Sequence, residues 1–102
     1  MRIERGKVEG NLEVNDEVVL HGMVTGDILV RDRGHLVLHG MCCGRLVLEP
    51  GSQVDLHGMA CEDVENRGGI LRVFGMVVGQ LRTLAEGHTE ISPKAKILGE
   101  TE

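Results

Sequence analysis

The chain has no tryptophan and no tyrosine, a single phenylalanine (Phe74) and only two prolines among its 102 residues. An interior without aromatic anchors has to be filled by Val, Leu, Ile and Met, which suits thin, regular layers better than a globular core arranged around large rings. No apolar run approaches the length needed to cross a bilayer, and the opening stretch MRIERGKVEG is charged from its second residue. Neither membrane insertion nor an export signal is therefore expected. Positive charge is also scarce, since 11 Lys and Arg face 16 Asp and Glu for a formal charge of −5. That balance argues against a nucleic-acid partner and against binding to anionic membranes. Cys42, Cys43 and Cys61 form an odd set without the paired spacing of a zinc site, which points to a reducing cytoplasm and no disulfide.

Glycine, by contrast, is abundant, with fifteen residues. Three of them sit in copies of LHGM at 20–23, 38–41 and 56–59, and a fourth in a worn copy, VFGM, at 73–76, so the glycine steps are 18, 18 and 17. Clear repeats cover 17–87, a partial turn covers 6–16, and 88–102 forms a further turn or a cap, all within one domain over 1–102. Within a repeat the period is two. Val18, Leu20, Gly22, Val24, Gly26, Ile28 and Val30 occupy alternate positions, and Leu36, Leu38, Gly40, Cys42, Gly44, Leu46 and Leu48 repeat them one turn later. Alternation means strands, because successive side chains point to opposite faces. A helix would be interrupted by the glycines, and 18 residues are too few for two strands and a crossover helix. An all-β, single-domain, three-sided parallel β-solenoid with about 18 residues per turn remains. In that register Asp27, Arg45 and Asp63 stack, as do Arg31, Glu49 and Arg67, and both columns alternate in sign as cross-strand pairs should. The third turn is one residue short after Arg67, where Asn66 is expected to hydrogen-bond the backbone of the tightened corner.

The run Gly-x-Val-x-Gly-[Asp/Asn]-Ile-x-Val, present as GMVTGDILV and echoed by GKVEGNLEV and GMVVGQLRT, resembles the bactofilins, bacterial polymer-forming cytoskeletal proteins. The resemblance spans roughly residues 6–98 and implies a right-handed, triangular β-helix that assembles end to end without a nucleotide. The repeated His-Met pair has no counterpart in that pattern, and the polar tails common in the family are almost missing.

By parity His21, His39 and His57 point outward, as do Met23, Met41 and Met59, with Phe74 and Met76 continuing both columns. Thr25, Cys43, Cys61 and Val78 follow on the same side. His21, Met23, His39, Met41, His57, Met59, Phe74 and Met76 thus form a candidate contact surface, with Val19, Val37, Leu29 and Val47 adding apolar outward columns. His21, His39, His57, Cys43 and Cys61 are also the candidate ligands for zinc or a softer ion. An in-line ladder does not gather ligands about one point, so no metal or cofactor is assigned.

No Ser-His-Asp set, phosphate loop or HExxH is present, and His35 and His88 read as isolated polar corner residues. The chain is expected not to be an enzyme. Its expected role is self-association of the bactofilin kind, as a homo-oligomer or polymer. One alternative is a small protein-binding module, of an inhibitory or immunity type, that uses the His-Met face. Another is metal binding, or an enzyme of the left-handed hexapeptide class, which PKAKILGE near the C-terminus locally resembles. A polymer needs at least one flat, apolar end. The candidate ends are the first partial turn and the segment ISPKAKILGE, where Pro93 could act as a cap.

Overall fold

Residues 1–84 and 86–102 are described by the computed structural model. The first rung carries β1 (Arg2–Glu4), β2 (Lys7–Val8) and β3 (Leu12–Val14). The second carries β4 (Glu17–Leu20), β5 (Met23–Val24) and β6 (Ile28–Val30), and the third β7 (His35–Leu38), β8 (Met41–Cys42) and β9 (Leu46–Leu48). The fourth has β10 (Gln53–Leu56), β11 (Met59–Ala60) and β12 (Val64–Asn66), and the fifth β13 (Ile70–Val73), β14 (Met76–Val77) and β15 (Leu81–Thr83). A sixth, shorter rung has β16 (His88–Ile91) and β17 (Lys96–Ile97). Corresponding strands pair in parallel and build three sheets, ordered β1-β4-β7-β10-β13-β16, β2-β5-β8-β11-β14-β17 and β3-β6-β9-β12-β15. This is the three-sided β-solenoid that the 18-residue period specifies. Among the described residues no helix is long and apolar enough to cross a membrane.

The register follows the repeat. Val18 pairs with Leu36, Leu36 with Val54, and Val54 with Leu71, steps of 18, 18 and 17. The departures lie at the ends. The first rung begins at Arg2 rather than at residue 6, and it is offset by 16 residues from the second, so that Arg2 faces Val18 and Glu4 faces Leu20. The last rung is a genuine turn. Thr89 faces Leu71 after 18 residues, but Ile97 faces Val77 after 20, because the corner at Ser92–Ala95 takes up the two extra residues. Pro93 occupies that corner, where Ala95 N–H donates to the Ser92 carbonyl at 2.9 Å, rather than blocking an edge strand.

The core is the inside of the triangle. Val18, Leu20, Val24, Ile28 and Val30 from one rung lie against Leu36, Leu38, Cys42, Leu46 and Leu48 from the next, all essentially inaccessible to water. Among the described residues Asn66 and Ser52 are the buried polar residues, and Asn66 is fully buried in an otherwise apolar inward column. Its Oδ1 accepts from Gly68 N–H at 3.2 Å and Gly69 N–H at 2.8 Å, and its Nδ2 donates to the His88 carbonyl and Thr89 Oγ1, each at 3.1 Å. The shortened corner is thus closed by a side chain whose polar atoms are satisfied, as burial requires.

The charged columns behave differently from a simple ladder of ion pairs. Asp27 Oδ1 accepts the backbone N–H of Arg45 at 2.7 Å, and Asp63 Oδ1 accepts that of Gln80 at 2.9 Å. Asn11 does the same for Asp27 N–H at 2.8 Å. These side chains sit at a corner, where the next rung offers a donor closer than its side-chain charge. In the other column Arg31 Nε lies 3.6 Å from Glu49, whereas Arg67 Nε turns to Glu65 at 2.6 Å, so the alternation is realised only in part.

Candidate functional site

The LHGM corner joins the sheet containing β7 to the sheet containing β8. Here the Leu20 carbonyl accepts from both His39 N–H at 2.8 Å and Gly40 N–H at 3.0 Å, and the pattern recurs on the rungs above and below. Sharing one acceptor pulls the corner tight. A Cβ on Gly40 would collide with the carbonyl oxygen of Gly22, so the glycine is required by the approach of two backbones rather than by a left-handed φ.

Outside this corner the three imidazoles and the phenyl ring stack face to face. Ring centroids are 5.0 Å apart for His21 and His39, 4.9 Å for His39 and His57, and 4.7 Å for His57 and Phe74, with planes within 14°. Parallel strands repeat every ~4.8 Å, so rings sharing a register position have this separation imposed on them. The rings are exposed. On the other side of the glycines, Met23, Met41, Met59 and Met76 stand in register as a second ladder, half-buried. A shallow groove runs between the two ladders over the glycine backbone. Arg5 and Lys7 border one end, and Lys94 and Lys96 the other. Six residues of the candidate contact surface, Met23, His39, Met41, His57, Met59 and Met76, line the shallow depressions of this groove, while His21 and Phe74 lie at the ends of the ring ladder outside them. Val19 and Val37 face out from a different sheet, and Leu29 and Val47 from the third, so these four do not extend it.

Stacking also decides the chemistry of the histidines. Each ring faces another ring in the ladder. Among the described residues no group of three or more His, Cys, Asp or Glu side chains is placed to share an ion, so the mixed His–Cys ligand set does not assemble. The cysteines divide into two kinds. Cys42 points inward, and burial pushes its thiol up to about 12, leaving it an inert core residue. Cys43 and Cys61 are half-buried on the outward face beside the methionines, and the Cys61 thiol is raised by burial, with the Cys43 thiol and Glu62 adding to the shift. All three are free.

His35 is not isolated. Its Nε2 lies 3.0 Å from Asp55 Oδ2, and Asp55 Oδ1 is buried without a hydrogen-bond partner, with Arg72 Nη1 4.0 Å away. Both residues stand on strands, not corners, and they meet diagonally: His35 is directly opposite Gln53, two residues before Asp55. A search along one column misses such a pair, whereas adding two to the 18-residue step finds it. His88 lies 3.8 Å from Glu90 on its own strand. The Ser52 hydroxyl donates to the Glu49 carbonyl at 2.6 Å.

No family model, curated protein or solved structure matches the chain. Assignment of a role rests on the geometry above and on the ends of the solenoid.

Proposed function

We propose that the protein is a non-enzymatic structural module that self-associates through the C-terminal end of its solenoid, a scaffold of the bactofilin kind. The observation that carries this reading is the last rung. Strands β16 and β17 each have a neighbour on one side only, and the inward position held by Leu20, Leu38 and Leu56 lower down is held here by Ile91, 43% exposed. Ile97, on the inward column of β17, is half-buried and packs against the core. An open parallel edge capped by aliphatic side chains is a template for a second copy. Continuing the solenoid head to tail would set Lys7 over Lys96 and Glu4 over Ile91, two unfavourable pairings. Contact between two C-terminal ends, apolar against apolar, avoids both. The expected species is a concentration-dependent dimer, and further growth requires the charged N-terminal ends to meet as well.

Light scattering of the purified protein across a concentration series, with Ile91→Lys alongside, tests this. The wild type should associate, and the variant should remain monomeric with an unchanged melting temperature. A wild type that is monomeric at every concentration would overturn the proposal.

The groove supports a second reading, a protein-binding module. Its walls combine half-buried thioethers with flat rings, a surface that adapts readily to an apolar partner. That reading predicts that His39→Ala with His57→Ala weakens partner binding without altering the oligomeric state.

A further inference from the structure

One feature of the outward face belongs neither to the ends nor to the ring stack. On the third and fourth rungs, Met41 and Met59 are register neighbours, and Cys43 and Cys61 follow two residues later on the same face. Both cysteines are held in the ladder by their backbones, with Cys43 N–H donating to the Val24 carbonyl and Cys61 N–H to the Cys42 carbonyl, each at 2.9 Å. The Cys61 Sγ lies 3.8 Å from the Met59 Sδ. Cys43 and Cys61 hold the same position on adjacent rungs, one strand spacing of ~4.8 Å apart along the solenoid. Two thiols and two thioethers thus occupy a two-by-two array on a rigid, half-buried sheet surface.

We propose that Cys43 and Cys61, completed by the thioether of Met59 or Met41, bind one soft monovalent metal ion, Cu(I). Three features of the array support this assignment over zinc. First, the donors are sulfur only, and thioethers are ligands for Cu(I) rather than for zinc, which takes thiolate, imidazole or carboxylate. Second, the spacing fits: a metal–sulfur bond of ~2.3 Å in a trigonal site puts the sulfurs about 4 Å apart, close to the separation already present between Cys61 and Met59. Third, the array supplies two anionic donors at most, too few for a closed tetrahedral zinc site, and the imidazoles that could complete one are stacked on each other beyond the glycine corner. Binding replaces each thiol proton with a metal–sulfur bond, so one Cu(I) and two thiols give a bis-thiolate complex of charge −1 and two released protons. No change in oxidation state is involved.

Cys42 takes no part, since its thiol points into the core.

The test is anaerobic titration of the reduced, full-length protein with Cu(I) against a chromophoric Cu(I) chelator, with stoichiometry read by native mass spectrometry. One Cu(I) per chain is expected. Cys43→Ser with Cys61→Ser should lower the affinity at least 100-fold, Met41→Leu with Met59→Leu roughly 10-fold, and Cys42→Ala should leave it unchanged. Circular dichroism establishes that each variant is folded. If the cysteine variant fails to fold, the methionine variant carries the test. Retention of all Cu(I) by the chelator, full binding by the cysteine variant, full binding by the methionine variant, or displacement of Cu(I) by equimolar zinc would each overturn the proposal. The outcome is independent of self-association, because the array lies on a side of the solenoid and Ile91→Lys leaves it intact.

Discussion

The first and last rungs share a backbone and differ in what fills their inward positions. At the N-terminal end Arg2 and Glu4 occupy the columns that hold Val18 and Leu20 one rung above, and their side chains approach to 3.7 Å. At the C-terminal end the same columns hold Thr89 and Ile91. Each end leaves a row of backbone groups unpaired, but charge at the first rung favours water, whereas aliphatic surface at the last favours a second copy. Under the proposed self-association, the end that carries Ile91 would be the adhesive one and the end that carries Arg2 and Glu4 the protected one. Interior rungs face neither choice, since both their sheet edges and both their apolar faces are covered.

The largest expected effect separates the interior from the ends. Gly40→Ala drives a methyl group into the Gly22 carbonyl, while Gly6→Ala, on the open first rung of the same corner, meets nothing within 4 Å. The first should lower the melting temperature by roughly 15 °C or more, or prevent folding, and the second should shift it by no more than a few degrees. Equal effects would mean that the corner does not limit the stack.

Cys42 probes the same contrast through pH. Its column runs from Val8 to Ile97, both half-buried, and it lies in the dry middle. With the folded thiol raised from 9.0 to about 12, the folded chain retains a proton that the unfolded chain gives up. Stability is therefore complete below about pH 9 and falls as pH rises from there toward 12. Urea unfolding between pH 8 and pH 11 should show this alkaline loss in the wild type and a shallower one in Cys42→Ala.

Glu4→Ile sharpens the comparison of the ends themselves. It gives the first rung an aliphatic inward residue and should convert a dimer into longer assemblies, visible by light scattering and negative-stain microscopy. An unchanged size distribution would show that the charge at Glu4 is not what limits growth. The smallest effect is expected at the ring ladder: Phe74→His exchanges one flat ring for another and should alter stability by less than ~1 kcal/mol in thermal melts.

Most of the fold was legible because a parallel solenoid repeats its constraints. The spacing of the LHGM glycines fixed the register, alternation fixed which side chains turn inward, and the missing residue after Arg67 located the corner that Asn66 closes. Interactions that leave a column were harder to read. The His35–Asp55 contact is diagonal, and Asp27 and Asp63 bind backbone donors that no column of side chains reveals. At the site, the columns of His21 and Met23 were readable, but the groove between them depends on how tightly the glycines bring the rungs together. The first rung was legible over 6–16, where Val8 pairs with Val24, Leu12 with Ile28 and Val14 with Val30, but its opening strand was missed, because Arg2 and Glu4 stand where the repeat elsewhere has aliphatic residues.

The corner acceptors Asn11, Asp27 and Asp63 all reach in one direction. Each belongs to an earlier rung, and the N–H it captures belongs to the following one. At the same three seams the later rung returns the bond, since Leu12, Ile28 and Val64 N–H donate to the carbonyls of Asp27, Arg45 and Gln80, so each seam is stitched in both directions.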